Sequence, residues 1–214
     1  MYKLLVFDLD GTLLDTLDDI TDSVNFVLEK YSFPKRTREE VRSFVGNGIA
    51  NLIKRACACE EVDEIVPIFK EHYASHCAIK TKPFEGVLET VRMLREKGYI
   101  LAVLSNKADF ATKKLVAHYF GDIFHEAVGE NEAIGRKRKP DPNALFSIME
   151  QFGVTATETA YIGDSEVDIQ TAKNAGVDCI CMTWGFRDEA DLLRAGGTKI
   201  AHGVTQLKEF CVKE

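Results

Sequence analysis

The chain has 214 residues, 45% of them hydrophobic, with 27 Lys and Arg against 34 Asp and Glu, a net charge of −7. That length supports one sizeable core, or a core with a small satellite. The acidic balance excludes a general nucleic-acid binder, and no stretch reaches the roughly 18 apolar residues of a membrane span. The apolar N-terminus is brief, ends in acids and lacks a small-residue cleavage site, so it does not read as a secretory signal. Cys57-Ala-Cys59 and Cys179-Ile-Cys181 have C-x-C rather than C-x-x-C spacing and no His follows at ligand distance, so reduced thiols are expected rather than a metal site. The expectation is a soluble cytoplasmic protein.

Leu4–Phe7 is a short continuous apolar run, the signature of a buried parallel strand, and it runs directly into Asp8, Leu9, Asp10, Gly11 and Thr12. Residues 17–82 then change rhythm. Leu17, Ile20, Val24, Val27, Leu28 and Tyr31 recur at helical spacing, Thr37-Arg-Glu-Glu40 reads as a capping box, and Val62, Ile65, Val66, Phe69 and Tyr73 mark another amphipathic helix. No convincing strand lies between Asp15 and Pro83. From Pro83 onward the pattern alternates. Val87, Leu88, Val91 and Leu94 form a helix face closed by Gly98, Ile100–Leu104 a strand ending in Ser105-Asn106, and Leu115, Val116 and Tyr119 a second helix. Ile123–Val128 reads as an outer strand, and the cationic run Arg136–Lys139 as a solvated loop. Asp141-Pro142 then starts a helix that Gly153 stops. Thr159–Ile162, a short helix through Ile169, Ala172 and Ala175, and a strand at Cys179–Met182 follow. The fold class is therefore α/β, a doubly wound parallel sheet formed by residues 1–16 and 83–214, with an all-helical insertion at 17–82.

In such sheets ligands bind beyond the carboxyl ends of the strands. Asp8 with Asp10, Ser105 with Asn106, Lys139, and Asp164 with Asp168 all fall there. Period-two geometry puts Asp8 and Asp10 on one side if the backbone stays extended through Leu9, and Gly11 lets the chain turn. Carboxylates so close repel unless a cation joins them, and an all-oxygen donor set favours Mg²⁺ over zinc or copper. A carboxylate can also attack phosphorus to form an aspartyl phosphate. Lys139 supplies positive charge for the transferring group and Ser105 a hydroxyl donor. Asp10 can protonate the leaving alkoxide and later take a proton from water, the first task requiring a pKa raised by burial or hydrogen bonding.

FDLDGTLLDT, LSNK, KPDP and GDSEVD, in this order, resemble the four motifs of the haloacid dehalogenase superfamily in its phosphatase branch, across the whole chain. The resemblance implies Asp8 as nucleophile and Asp10 as general acid/base. It implies Mg²⁺ held by Asp8, the Asp10 backbone carbonyl and Asp164, with Asp168 supporting the metal's outer shell or Lys139. Ser105 and Lys139 would bind the phosphoryl group, with Thr12 and Asn106 beside it. True dehalogenases of the superfamily lack an acid at the place of Asp10, so phosphoryl transfer is expected.

The helical insertion resembles the superfamily's type-one cap. Within it Val45-Gly46-Asn47-Gly48, followed by Lys54-Arg55, is similar to the cap of phosphoglycolate phosphatases. Gly46 and Asn47 would approach the substrate closely, and Arg55 would pair with a carboxylate or second phosphate. β-Phosphoglucomutases carry a hinge histidine where this chain has Ile20, which favours a hydrolase. The expected partner is a small phosphorylated metabolite, 2-phosphoglycolate first, with no nucleic acid and no membrane. A pyrophosphatase or sugar-phosphate phosphatase or mutase of the same superfamily is the alternative. A phospho-Asp switch is disfavoured, because a receiver domain carries its acceptor after the third strand and has no insertion.

Overall fold

A computed structural model describes residues 1–46 and 48–212. The apolar run at the start forms β1 (Leu4–Phe7), whose four side chains are at most 1% exposed. Burial on both faces is what a central parallel strand requires. A short β2 (Leu14–Asp15) leads into α1 (Leu17–Lys30), α2 (Arg38–Phe44), α3 (Ile49–Cys57) and α4 (Ile65–His76). After β3 (Lys82–Pro83) the chain alternates through α5 (Val87–Glu96), β4 (Ile100–Ala108), α6 (Asp109–Phe120), β5 (Glu126–Glu130) and α7 (Asn143–Phe152). It ends with β6 (Thr159–Gly163), α8 (Glu166–Ala175), β7 (Asp178–Met182), α9 (Glu189–Arg194), β8 (Lys199–Ala201) and α10 (Val204–Cys211). Two compact units result, one of residues 1–14 and 83–214 and one of residues 15–82. No helix among the described residues is long and apolar enough to cross a membrane.

The first unit is built on a six-stranded sheet of order β5-β4-β1-β6-β7-β8, every neighbouring pair parallel. Leu4–Phe7 pair in register with Ile100–Val103 on one side and Thr159–Ile162 on the other. The chain winds from β1 outward to β5, then crosses to β6 and winds the other way. The crevice at the carboxyl ends of β4, β1 and β6 is thus the topological switch point. One face of the sheet is covered by α7 and α8, where Leu145, Ile148 and Ala172 pack on Leu4, Val6 and Tyr161.

Several boundaries differ from those read in the sequence. β4 runs four residues past Leu104 and carries a register irregularity between Leu104 and Ala108, so Ser105 and Asn106 lie inside the extended segment. The outer strand begins at Glu126 rather than Ile123. Ile123 and Phe124 are buried because Phe124 packs edge-on against Phe7 and Phe120, at ring separations of 5.9 and 5.4 Å, and not because they join the sheet. The helix expected at Asp141-Pro142 starts at Asn143, with Asp141 Oδ1 accepting from the Asn143 N–H at 3.0 Å as a cap would.

The helical unit is ordered by the face anticipated for α1. Leu17, Ile20, Val24, Val27 and Leu28 are all buried, while Tyr31 is the half-buried C-cap. The capping box at Thr37 and Glu40 is present, with the Thr37 N–H donating to Glu40 Oε2 at 2.7 Å. Phe69 and Tyr73 of α4 stack at 5.5 Å. A contact with no signature in the sequence closes the unit. Asp19, 2% exposed, accepts the backbone N–H groups of Ile79, Lys80 and Thr81 at 2.9–3.1 Å. A carboxylate receiving three N–H donors is a charge-assisted set, and deleting it leaves those donors without partners. Asp19→Ala should therefore lower unfolding stability by about 3 kcal/mol, and Asp19→Asn by less, in urea titrations monitored by circular dichroism.

Candidate active site

The backbone leaves β1 at Asp8, whose N–H continues the sheet by donating to Ile162 O at 2.8 Å. Its carboxylate, 8% exposed, is held at one oxygen: Oδ1 accepts the Leu9 N–H at 2.7 Å and pairs with Lys139 Nζ at 2.9 Å. Leu9 is fully buried, and Gly11, at φ +84°, turns the chain back so that its N–H reaches Leu14 O at 2.9 Å. Burial, with Asp168 and Asp10 nearby, outweighs Lys139 and pushes the Asp8 carboxyl up to about 7.

Asp164 follows β6, and Asp168 lies in the first turn of α8. Asp164 is 1% exposed; its Oδ1 accepts from Thr12 Oγ1 at 2.8 Å and its Oδ2 from the Phe186 N–H at 2.7 Å. Burial and the neighbouring Asp168 and Asp8 hold its pKa well above the usual carboxylate range. The close approach needs glycines. A Cβ on either Gly11 or Gly185 would lie 2.3 Å from Asp164 Oδ2, and one on Gly163 would lie 2.4 Å from the Asp168 side chain. Asp168 is fully engaged. Oδ1 accepts from Lys139 Nζ at 2.7 Å, while Oδ2 accepts from Ser165 Oγ at 2.7 Å and from the N–H groups of Ser165 and Asp164 at 3.0 and 3.2 Å.

Lys139 is the cation inside this group, 5% exposed, with its ammonium 5.5 Å over the Tyr161 ring. Burial opposes its charge, but Asp168 and Asp8 outweigh it and raise its pKa well above the ordinary lysine value. The backbone of Lys139 is fixed by Asn106, whose Oδ1 accepts the Lys139 N–H at 2.6 Å and whose Nδ2 donates to Lys139 O at 3.1 Å. Asn106 was expected beside the substrate; its amide is instead engaged in placing Lys139. The Thr12 hydroxyl is likewise engaged on Asp164. Ser105, 3% exposed, has its Oγ accepting from the Lys107 N–H at 3.2 Å.

Ligand atoms of Asp8, Asp164 and Asp168 lie within 4.8 Å of one another. Three buried carboxylates face one ammonium, and burial drives Asp8 and Asp164 toward their protonated forms. This donor set therefore fits a divalent cation, which would supply the missing positive charge. Asp10 stands apart from the cluster. Both of its oxygens are 2.8 Å from Lys107 Nζ, the last residue of LSNK, to which the sequence alone assigns no role. The signal was present, because Lys107 follows Ser105 at the period of two that puts both on one side of an extended strand. In the helical unit, Arg55 is exposed and its Nη1 donates to Phe44 O at 3.0 Å, Gly46 takes φ 122° in the turn after α2, and Asn47 lies outside the described residues.

The model of the haloacid dehalogenase-like hydrolase family matches residues 5–182. A phosphoglycolate phosphatase of Pseudomonas syringae pv. tomato is 36% identical, over 98% of this chain and 80% of the relative. Phosphoglycolate phosphatase 1 of Pseudomonas aeruginosa is 31% identical, over 96% of this chain and 78% of its own length. Among solved structures, a candidate phosphoglycolate phosphatase from Lactobacillus delbrueckii subsp. bulgaricus superposes with a TM-score of 0.93 at 36% identity, covering 100% of this chain and 99% of the other. With its sheet order and its strand-end carboxylates, the chain belongs to the haloacid dehalogenase-like hydrolase family.

Proposed function

We propose that the protein is a Mg²⁺-dependent phosphatase that hydrolyses small phosphate monoesters through phospho-Asp8, with 2-phosphoglycolate the leading substrate. The observation that carries this reading is the buried group of Asp8, Asp164, Asp168 and Lys139 at the switch point, joined to Asp10 two residues from Asp8. The named relatives support the choice of substrate. The six cysteines, none of them in a disulfide, support a cytoplasmic site of action.

On this reading each residue has a task. The Leu9 N–H and Lys139 hold Asp8 Oδ1, which leaves Oδ2 to attack phosphorus. Asp8 and Asp164 would hold Mg²⁺, which offsets the repulsion between the nucleophile and the phosphoryl oxygens. Asp168, its oxygens already engaged, keeps Lys139 charged and aimed at the phosphoryl group. Ser105 offers a hydroxyl to the same group. Asp10 protonates the departing ester oxygen, then takes a proton from the water that cleaves the acyl phosphate. Arg55, at the end of α3, takes the carboxylate of the substrate's non-reacting end.

Asp8→Asn should reduce phosphate release from 2-phosphoglycolate by at least ~10³-fold with an unchanged circular dichroism spectrum; turnover above contamination in that variant removes the nucleophile assignment. Arg55→Ala should raise KM for 2-phosphoglycolate by about tenfold and leave p-nitrophenyl phosphate, which has no carboxylate, unaffected. A panel that includes pyrophosphate separates this substrate class from the alternative.

A pH dependence follows from Asp8. Its folded-state pKa of about 7 lies above the ordinary 3.8, so the metal-free fold loses stability as pH rises from about 4 through 7. A divalent cation competes with that proton. The rise in Tm produced by millimolar MgCl₂ should therefore be larger at pH 8 than at pH 5, and an equal rise at both values contradicts ligation by Asp8.

A further inference from the structure

Within the second matched motif, LSNK, the active-site edge carries a second lysine with no assigned task. Lys107 Nζ lies 2.8 Å from both oxygens of Asp10, with side-chain exposures of 6% for the lysine and 16% for the aspartate. An ammonium at equal distance from the two oxygens sits on the bisector of the carboxylate and opposes its rotation. The pair is also nearly out of water, so its geometry is not loosened by solvent as a surface ion pair is.

The backbone that delivers Lys107 is itself fixed. The register irregularity of β4 falls between Leu104 and Ala108, and such irregularities re-aim side chains next to active sites. Lys107 N–H donates to Ser105 Oγ, and Lys107 O accepts from Thr112 Oγ1 at 3.3 Å. Gly129 of β5 presses on the same carbonyl, where a Cβ would lie 2.5 Å from Lys107 O.

We propose that Lys107 is a positioning residue that fixes the Asp10 carboxylate for the hydrolytic half of the reaction. This rests on the aspartyl-phosphate reading of the site. In that half, the oxygen of water forms a bond to phosphorus as the bond from phosphorus to Asp8 breaks. One proton of the water passes to Asp10, and inorganic phosphate leaves. Lys107 touches neither the water nor the phosphorus; it sets the direction from which Asp10 receives the proton.

The test is rapid-mixing kinetics with p-nitrophenyl phosphate, whose leaving group needs no proton. Lys107→Met and Lys107→Gln should each release about one equivalent of p-nitrophenolate in a fast burst, as phospho-Asp8 forms normally. Both should then turn over on the order of 10²-fold more slowly than the parent enzyme, the scale of general base catalysis. Asp10→Asn should show the same burst followed by slow turnover, and the Asp10→Asn, Lys107→Met double variant should be no slower than Asp10→Asn alone. Lys107→Arg, which can still pair with both oxygens, should recover most of the turnover, and this recovery separates positioning from general damage to the fold. The proposal is overturned if the Met and Gln variants turn over like the parent. It is equally overturned if they keep kcat but raise KM for 2-phosphoglycolate, which makes Lys107 a substrate-binding cation, or if Lys107→Arg is as impaired as Lys107→Met. Turnover by Asp8→Asn in the same assay instead removes the aspartyl-phosphate reading itself.

Discussion

Packing carboxylates from β1, β6 and α8 within 4.8 Å of one another works against folding, because each loses water and each repels the others. The Lys139 ammonium, bonded to Asp8 at 2.9 Å and Asp168 at 2.7 Å, is the counterweight that lets the three segments meet. Much of the surrounding structure keeps that ammonium where it is. Asn106 clamps the Lys139 backbone from β4, and the Tyr161 ring lies beneath Nζ. Asp168 is saturated by Ser165 and Asp164 on its other oxygen, so it cannot turn away.

The same arrangement divides the acids by task. Asp168 has both oxygens engaged, one of them by Lys139. Asp8 and Asp164 are the acids that burial pushes furthest toward protonation, and therefore the ones a cation would relieve most. Asp10 has a lysine of its own. Two lysines thus serve two carboxylates two residues apart, which keeps the proposed nucleophile and the proposed base from sharing one counterion.

The central strands were legible because β1, β6 and β7 are buried on both faces and leave continuous apolar runs. α1 was legible because one face is buried and the other is not. What the sequence hid was of two kinds. Short or irregular elements carry no period to read: β2 and β3 have two residues each, β8 has three, and the extension of β4 through Ser105–Ala108 is polar. Aromatic packing also imitates a strand, as Ile123 and Phe124 show. At the site, motif residues placed Asp8, Asp164, Asp168 and Lys139 at one sheet edge. The partners of their neighbours were not legible, because a hydrogen bond such as Asn106 to Lys139 joins positions 33 apart with no local pattern. The three N–H groups on Asp19 were hidden for the same reason.

That clasp on Asp19 has a consequence for how such a helical segment is carried by its host. By joining the first turn of α1 to residues 79–81, one side chain helps to hold the entry and exit of a 68-residue unit together from within the unit itself. The entropy of closing the long segment is then met in part by the segment's own contacts. A module closed in this way is suited to replacement while the carboxylates at the sheet edge stay as they are.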